Sequence, residues 1–485
     1  MSRLSQTGDY ESLFNPRRRK SQRLPESAAA TISDQFPAET SQPVADAPPT
    51  GKKKKKTLDE YLAMDRWKTT SGHGLTFIGL FLFSIVLYFR PYEMIPSLSS
   101  FTSMAYFFGV VTLAIYVPSQ FMAEGNITAR PREINLILLF GLAAILSMPM
   151  AVSPSEAYTE FTELLLKALV IFIVLVNVTR TELRLKLMMW LAFAVSLYLS
   201  FWAVSDYSNG IFREGSAYYN NQRIGGAIRG LFGNSNDLAL HLVTMVPLAI
   251  GFAFTSKNFI KRILYIGMGA LFVAAVVVTF SRGGFLGLFI AALVLLRKIG
   301  RKNKLLSTGA LVVAMVTLLS LAPGTYFDRI GTIFSSASDH TGSSSQRTEI
   351  LKRSIRVTLR YPLFGVGVGN FHYKSVHELV THNAYTQVSS EMGIPALVIY
   401  LMLMIYPLRR LRQIEAETEN RPDKRRFHYW SIGIQASIIA YMVSSFFGAV
   451  AYQWYVYFIV GYAVALRRLY YLDKHAEQNQ QNRAA

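Results

Sequence analysis

Residues 238–296 decide the fold, and they read LALHLVTMVPLAIGFAFTSKNFIKRILYIGMGALFVAAVVVTFSRGGFLGLFIAALVLL. Three apolar runs make up this stretch, and only short polar connections separate them. The first connection carries Lys257, Lys261 and Arg262, and the second is Ser281-Arg282-Gly283-Gly284. Apolar runs of this length and spacing are typical of consecutive transmembrane helices. The segment therefore predicts a chain that crosses a membrane several times.

The composition of the whole chain agrees with this prediction. Of 485 residues, 51% are apolar and only 16% are charged, which is not the balance of a soluble enzyme. Fifty Lys and Arg against thirty Asp and Glu give a net charge of +20. In a membrane protein such a surplus is first a topology signal, so no nucleic-acid partner is indicated. The absence of cysteine excludes disulfides, thiolate metal sites and a cysteine nucleophile.

Apolar runs of spanning or near-spanning length predict an all-α, polytopic integral membrane protein with about twelve transmembrane helices. The runs lie at Leu75–Phe89, Ser103–Val117, Ile134–Met150, Leu164–Val178, Leu187–Val204, Leu238–Phe254, Ile263–Phe280, Phe285–Leu296, Leu305–Leu321, Gly393–Tyr406, Tyr429–Phe447 and Ala451–Leu466.

Lys and Arg alternate from loop to loop, and this alternation predicts the topology, because cations are retained on the cytoplasmic side. Residues 1–70 have no periodic apolar pattern and contain two basic clusters, so they are predicted to be a disordered basic cytoplasmic tail. The transmembrane domain is predicted at 71–470, with a large loop on the opposite, outer side at 322–391 between helices nine and ten. A cytoplasmic C-terminal tail is predicted at 471–485. Both termini are thus expected to be cytoplasmic.

Two long segments on the predicted outer side are basic against the general pattern. The segment before Asp237 carries Arg223 and Arg229, and the loop 322–391 carries seven cations that include Arg347. Long loops translocate largely regardless of charge, so the topology survives, but cations on the outer face favour an anionic partner. Lipid headgroups and a specific anionic substrate are both open, and we favour the substrate.

Glycine-containing motifs place some of these arginines near helix ends. Arg282 stands where one apolar run gives way to the next, and the following glycines permit a close backbone approach. Arg223 and Arg229 precede a helix that starts near Asp237, with Asn236 or Asp237 as its predicted N-cap. The N-terminus of a helix favours an anion, and guanidinium can bind phosphate through two hydrogen bonds.

The predicted outer loop contains two further patterns. Cations and apolar residues interleave over Arg347–Arg360, which predicts an amphipathic helix at the membrane interface. The stretch Gly365-Val366-Gly367-Val368-Gly369-Asn370-Phe371 has glycine spacing like that of a dinucleotide loop, but no strand–helix crossover surrounds it. It is therefore predicted to be a tight turn.

Four of the eight histidines, His340, His372, His377 and His382, also lie in this loop. The five-residue steps from His372 to His382 do not match a helical metal site, so we predict no metal. His382, followed by Asn383, is more attractive as a general base or a phosphate contact, because imidazole titrates near neutral pH. A histidine that is merely solvated is the alternative. Glu391 is predicted either to hold His382 or to cap the next helix.

Taken in order, the segment Arg229–Ala239, Ser281-Arg282-Gly283 and the block from Gly365 through His382-Asn383 to Glu391 resemble the O-antigen ligase and polymerase superfamily. The resemblance covers nearly all of the membrane domain. The stretch Arg90-Pro91-Tyr92-Glu93-Met94-Ile95-Pro96 is weakly similar to the exosortase-associated O-glycosylation ligase branch.

The resemblance implies a metal-independent, inverting transfer of a glycan from an undecaprenyl diphosphate carrier to an acceptor hydroxyl, with no cofactor. It also implies that the reaction takes place on the periplasmic side of the inner membrane of a bacterium, so that the loop 322–391 is periplasmic. The acceptor it implies is lipid A-core, a protein or another glycan. The catalytic histidine falls on His382 and the outer-face arginines on Arg282 and Arg229, with Arg223 as the rival for the second arginine. Arg347, Asn383 and Glu391 are the further expected substrate-binding residues.

Two other functions stay open at this point. A polymerase, or a ligase that glycosylates protein, would bind the same donor and differ only in its acceptor. A transporter of carrier-linked glycan would use the arginines to line a pathway, but the sequence has no halves with matching broken helices. Glu163 and Lys167, four residues apart in the fourth predicted span, are expected to pair with each other.

Overall fold

The computed structural model describes residues 72–101, 103–212, 223–228, 232–300, 343–375 and 378–484. The predicted tail 1–70, the predicted span Leu305–Leu321 and Arg229 lie outside these residues. Within them the chain forms helices and helical turns and no β-sheet, which confirms the all-α prediction.

Twelve long helices make up the described part of the chain. In chain order they are α1 (Gly74–Phe89), α2 (Met104–Glu124), α3 (Arg132–Ser147), α4 (Pro154–Val178), α5 (Glu182–Ser208), α6 (Ser235–Thr255), α7 (Phe259–Val278), α8 (Arg282–Ile299), α9 (Ser343–Arg360), α10 (Ala384–Thr418), α11 (Arg425–Ser444) and α12 (Trp454–Ala484).

Nine helices in the described residues are long and apolar enough to cross a membrane, namely α1 to α7, α10 and α11. The chain is therefore a multi-pass membrane protein. Helices α8 and α12 cover two more of the predicted spans, but Arg282, Arg297 and Lys298 interrupt the apolar pattern of α8, and Arg467 and Arg468 interrupt that of α12. The count of twelve spans and the periplasmic position of the loop remain predictions.

Helices α1 to α8 alternate in direction, as the contacts between their ends show, so the bundle has two ends. We call the end where α1 begins the near face, and the end where α1 finishes the far face. A bond from Arg180 after α4 to Glu124 at the end of α2 lies at the near face. A bond from Ser153 N to Asn370 Oδ1, between the α3–α4 connection and the loop before α10, lies at the far face.

Helix α6 is the most buried of the candidate spans and packs chiefly against α11 and α7. Glycines let α6 and α11 approach closely. A Cβ on Gly433 would lie 2.9 Å from the carbonyl oxygen of Pro247, and one on Gly251 would lie 2.9 Å from that of Tyr429. Close backbone contact of this kind provides van der Waals packing where lipid gives no hydrophobic driving force.

Cations that predict a cytoplasmic side are paired with carboxylates at the near face. The buried Arg180 guanidinium donates to Glu124 at 2.8 Å, and Arg467 donates twice to Glu133 at 2.6 and 3.0 Å. Lys298 pairs with Glu415. Ion pairing neutralises these charges and so lowers the free-energy cost of burying them. The near-face cations therefore join helices together in addition to any role in orientation.

Helix α9 confirms the predicted amphipathic helix over Arg347–Arg360. Its buried side chains include Ile350 and Val357, which pack with Val366 and Phe371 of the glycine-rich turn. Leu359 on another side of the helix is 70% exposed. The helix therefore rests on the turn that precedes α10.

Candidate functional site

A polar cluster at the far face joins the Arg223 segment, the start of α6 and the α7–α8 junction. Its centre is Asn236, whose Oδ1 accepts a hydrogen bond from Arg223 Nη2 at 3.1 Å and another from Ser281 Oγ at 2.9 Å. Arg223 Nη2 also lies 3.4 Å from the carbonyl oxygen of Thr279. One amide oxygen thus brings three separate stretches of chain together.

The predicted N-cap of α6 is wrong. Helix α6 begins at Ser235, and Asn234 caps it, with Oδ1 accepting from the backbone N of Asn236 at 2.8 Å. Asn236 and Asp237 both lie in the first helical turn. The cap is displaced because Asn234 has the extended backbone that an N-cap requires. This displacement leaves the Asn236 side chain available for Arg223 and Ser281.

The α7–α8 junction is a sharp turn that places Arg282 first in a helix, which confirms its predicted position. Phe280 has a left-handed φ of 53°, and Ser281 caps α8 by accepting from Gly284 N at 3.3 Å. A Cβ on Gly283 would lie 2.6 Å from Phe447 Cβ, and one on Gly284 would lie 2.8 Å from Ala239 Cβ. Small residues are required here because α6, α8 and the end of α11 meet.

Helix N-termini contribute positive potential to this cluster. The first turn of α6 holds Asn236, and the first turn of α8 follows Ser281, so the Asn236–Ser281 bond brings two N-termini together. Unpaired backbone N–H groups and the helix dipole favour an anion at such a place. Arg223 adds a guanidinium that is only 7% exposed. The arrangement suits a compact polyanion such as a phosphate or diphosphate.

His382 lies at a second sharp turn, directly before α10. Its backbone is left-handed, with φ of 50°, and the next residue, Asn383, caps α10 by accepting from Tyr385 N at 2.9 Å and Thr386 N at 3.1 Å. Burial, and then the positive charge of Arg347 on α9, lower the pKa of His382 below its ordinary value. The imidazole is therefore neutral at pH 7 and can accept a proton.

The turn Ser445–Phe447, which directly follows α11, contacts both the segment that contains His382 and the segment that contains Arg282. Tyr385, in the first turn of α10, receives a hydrogen bond from Ser445 Oγ at 3.3 Å, and its ring centroid is 4.5 Å from that of Phe446. Phe447 packs against Gly283 at the start of α8. The His382 segment and the Arg282 segment therefore pack on the same turn.

The glycine-rich segment is a tight turn, as predicted, and it packs on a break in α10. Gly365, Gly367 and Gly369 all have positive φ. A Cβ on Gly365 would lie 2.3 Å from the backbone carbon of Glu391, so no larger residue fits. Backbone bonds run from Val366 N to Ser390 O and from Gly367 N to Glu391 O, both at 2.9 Å. The turn thus follows the helix backbone closely.

Neither role predicted for Glu391 matches its surroundings. Its Oε2 accepts from Gly369 N at 2.9 Å and from the Tyr452 hydroxyl at 2.7 Å, and Asn383 occupies the capping position. Glu391 lies more than one helical turn beyond His382, and its carboxylate accepts hydrogen bonds from the glycine-rich turn and from Tyr452 instead. It connects the turn, α10 and the start of α12.

Two of the four histidines of the predicted outer loop, His372 and His382, fall in the described residues. His372 Nδ1 lies 2.9 Å from the Gly369 carbonyl oxygen, and its Nε2 lies 3.5 Å from Glu156 Oε1. Among the described residues no group of three metal-ligating side chains is found. His340 and His377 lie outside them.

Sequence reasoning did not find the bridging role of Asn236 or the partner Tyr452. Asn236 binds Ser281 across 45 residues and Arg223 across 13, and Tyr452 binds Glu391 across 61. Only the folded bundle brings these pairs together. The asparagine-rich stretch Asn234-Ser235-Asn236 was the one signal in the sequence, and it indicated a cap.

The fold and this cluster define a multi-pass, all-α membrane protein with a basic polar site where helix ends meet. Residues 267–401 match the family described as O-Antigen ligase. The match runs from α7 into α10 and includes Arg282, Arg347, His382, Asn383 and Glu391. It confirms the resemblance to the O-antigen ligase superfamily over this part of the chain. Comparison with curated proteins gives no match.

Proposed function

We propose that the protein transfers a glycan from an undecaprenyl diphosphate carrier to an acceptor hydroxyl at the periplasmic side of the inner membrane. The observation that carries this proposal is the hydrogen-bond bridge of Asn236 to Arg223 and Ser281, because it assembles two helix N-termini and a buried guanidinium next to Arg282. The far face is accordingly the periplasmic face.

The donor diphosphate binds at this cluster. Arg282 and Arg223 supply guanidinium groups, and Arg229, to which the resemblance assigns the second catalytic arginine, lies six residues beyond Arg223 in the chain. When the bond from the anomeric carbon to the phosphate oxygen breaks, both electrons leave with the diphosphate. Fixed arginines and helix N–H groups stabilise the charge that develops on the diphosphate, and they need not reorient to do so. Stabilising charge that develops in the transition state is the largest contribution such groups make to the rate.

His382 accepts the proton of the acceptor hydroxyl as its oxygen attacks the anomeric carbon. Attack from the side opposite the leaving diphosphate inverts the configuration, and the reaction requires no metal or cofactor. The lowered pKa of His382 supports this role, because a base must be neutral before it acts. Arg347 lowers that pKa through its charge and can also contact a phosphate, and Asn383 fixes the turn that carries His382.

The acceptor distinguishes three forms of the proposal: lipid A-core, a protein or a second carrier-linked glycan. All three use the same donor and the same base. A ligase would transfer complete chains, whereas a polymerase would add one repeat to another.

The first test compares His382→Ala and Arg282→Ala with the wild type at matched expression. Lipid extracts are analysed by gel and by mass spectrometry for carrier-linked glycan, and surface glycan is measured in the same cells. Arg353→Ala is the matched control, because Arg353 is a far-face arginine that donates to the Lys374 carbonyl oxygen at 2.6 Å. We expect carrier-linked glycan to accumulate and surface glycan to be lost in the first two variants only.

The accumulated species identifies the reaction. Complete chains on the carrier indicate a ligase, and single repeats indicate a polymerase. If His382→Ala and Arg282→Ala both behave as the wild type does, the catalytic assignment is wrong and a transporter of carrier-linked glycan becomes the better hypothesis. A parallel pair, Arg223→Ala and Arg229→Ala, decides which of these arginines serves the donor.

A further inference from the structure

A cavity of about 710 Å³ lies between α1, α2 and α4, apart from the residues of the polar cluster. Helix α2 packs chiefly against α1 and only slightly against α4, and the space between α2 and α4 is the cavity. Its lining is largely apolar and includes Phe83, Leu113 and Ile171. The volume is within the range of about 300–1,000 Å³ that is usual for small-molecule sites.

A pair of opposite charges lines this apolar cavity. Lys167 and Glu163 form an ion pair within the span α4, as predicted, yet the Glu163 side chain is 68% exposed and that of Lys167 is 44% exposed. Glu163 lies in a π-helical turn between Phe161 and Leu165, a local deviation that is frequent at functional sites. Charged side chains inside a membrane span are rare, and they pair with one another or face a water-filled cavity or the bundle interior, because hydrocarbon solvates them poorly.

Two more polar groups border the cavity at its far-face end. Arg90 lines it and pairs with Glu93 at 2.6 Å, and the backbone of Arg90 is left-handed. Trp454, the first residue of α12, is 4% exposed and lines it as well. Its indole nitrogen is buried without a hydrogen-bond partner in the described residues. Protein atoms enclose this nitrogen, so the ring is the part of Trp454 that an occupant of the cavity can contact.

We propose that this cavity binds one phospholipid with a zwitterionic headgroup that contains a primary amine. The ammonium group donates to Glu163, and the phosphate accepts from Lys167 or Arg90. An acyl chain fills the apolar part and packs against the Trp454 ring. Together the two ion pairs, Lys167–Glu163 and Arg90–Glu93, carry no net charge, which matches a headgroup of zero net charge. This inference is independent of glycosyl transfer, since none of the proposed catalytic residues lines the cavity.

The headgroup assignment can be measured by native mass spectrometry. The full-length protein is placed in nanodiscs of equal parts phosphatidylethanolamine, phosphatidylcholine and phosphatidylglycerol, and is then released in mild detergent. We expect one retained phosphatidylethanolamine, favoured by roughly tenfold over the other two, because choline has no N–H donor and phosphatidylglycerol has no cation for Glu163. Equal retention of the three lipids would overturn the proposal.

Two valines on α2 provide a matched pair of variants for the cavity itself. Val110 lines the cavity and is 46% exposed, whereas its neighbour Val111 is 37% exposed and does not line it. Val110→Trp should fill the space and lower retention of phosphatidylethanolamine by about tenfold. Val111→Trp should leave retention unchanged. Equal retention in the two variants would contradict the site.

The ion pair is tested separately by Glu163→Gln combined with Lys167→Gln. This double variant should still retain one lipid but no longer distinguish phosphatidylethanolamine from phosphatidylcholine. The control is Glu182→Gln with Lys186→Gln, another pair four residues apart, at the near-face start of α5. A double Glu163 and Lys167 variant that keeps the wild-type preference would show that these side chains do not bind the headgroup.

Fluorescence quenching covers the case in which Val110→Trp does not fold. Phosphatidylethanolamine with brominated acyl chains is added to the wild type and to Trp454→Phe. Bound lipid should quench a component of the wild-type emission that Trp454→Phe lacks. If the two proteins are quenched alike, no lipid lies against Trp454 and the proposal fails. Transferase activity enters neither readout, so failure here is distinct from failure of the proposed function.

Discussion

Asn236 determines where Arg223 and the α7–α8 junction lie relative to each other, and it does so with a single amide oxygen. Loss of that acceptor leaves a buried guanidinium and a buried hydroxyl with one bond fewer each. A missing partner for a buried polar group costs about 1–3 kcal/mol. The effect should appear in the reaction more than in folding, since the junction keeps its own cap, Ser281.

Asn236→Ala should therefore lower the rate of glycan transfer by roughly 10- to 100-fold, the equivalent of about 1.4–2.8 kcal/mol. Transfer is measured in membranes with carrier-linked glycan as the donor. The control is Asn234→Ser, which preserves the cap of α6 and should leave the rate within about twofold. If Asn236→Ala transfers as fast as Asn234→Ser, the bridge has no part in the reaction.

The position of Arg347 relative to His382 leads to a prediction about pH. A positive charge opposes protonation of the imidazole, so Arg347→Gln should raise the pKa of His382 towards its ordinary value. The base would then be lost at a higher pH, and the acid limb of the profile of kcat against pH should move to higher pH. The profile is measured at saturating donor between pH 5 and 8, the range in which imidazole titrates.

Arg353→Gln is the control for this shift. Arg353 belongs to the same helix, but it donates to the Lys374 carbonyl oxygen and is not among the charges that affect His382. Its profile should superimpose on that of the wild type. An unmoved acid limb in Arg347→Gln would mean that His382 is not the group that titrates in catalysis.

For single residues, the sequence predicts the position of a site residue relative to a helix end better than it predicts the partners of its side chain. Arg282 at a helix start and His382-Asn383 before a helix follow from local motifs, and the structure has them there. The bonds from Asn236 to Ser281 and from Glu391 to Tyr452 join distant parts of the chain. Local patterns contain no information about such pairs, so Glu391 was predicted to act near His382.

Helix boundaries show the same division between local and long-range information. The predicted run Leu238–Phe254 lies within α6 and includes all but a few of its residues. Helix α4 instead begins ten residues before the predicted Leu164, because Ser153 caps it and Pro154 occupies its first turn. The early turns carry Glu156 and Glu160, so hydrophobicity alone does not indicate a helix there. Capping chemistry, which hydrophobicity ignores, sets that boundary.

The break in α10 has a mechanical consequence that a substitution can test. Gly393 has φ of 87°, and a Cβ there would lie 2.2 Å from the Leu363 carbonyl oxygen. Gly393→Ala would combine a disfavoured backbone with a clash, and should destabilise the protein by about 3 kcal/mol or more. Thermal unfolding in detergent measures the loss.

Gly267→Ala is the matched control, because a Cβ at Gly267 in α7 meets nothing within 4 Å. Alanine is the better helix former, so this variant should unfold at the same temperature as the wild type or slightly higher, with a gain of at most about 1 kcal/mol. Equal stability of the Gly393→Ala and Gly267→Ala variants would show that α10 can straighten without loss.

Across the whole described bundle, the near face is joined by buried ion pairs. The Arg467–Glu133 pair connects α12 to α3, and both side chains are almost fully buried. Removing one partner of such a pair leaves an uncompensated charge, which costs about 3–5 kcal/mol. Glu133→Gln should therefore lower the unfolding temperature strongly, as measured in detergent by loss of folded protein.

An exposed pair provides the comparison. Arg421 and Asp423 pair at 2.8 Å with about half of each side chain exposed, and Asp423→Asn should leave the unfolding temperature almost unchanged, because solvent screens an exposed pair. The combination of Glu133→Leu with Arg467→Met should recover most of the stability lost in Glu133→Gln, because it removes both charges. Equal losses in Glu133→Gln and Asp423→Asn would refute the importance of the buried pair.

The Arg467–Glu133 pair also sets an order for biogenesis. Its two residues are separated by 334 positions, so α3 is synthesised long before α12 emerges from the ribosome. Until α12 is inserted, the Glu133 carboxylate lacks the guanidinium that neutralises it, and the Val176 carbonyl lacks its bond from Arg468. Hydrocarbon would solvate that carboxylate poorly. The growing bundle therefore requires water or the insertion machinery to shield α3 until the last helix arrives.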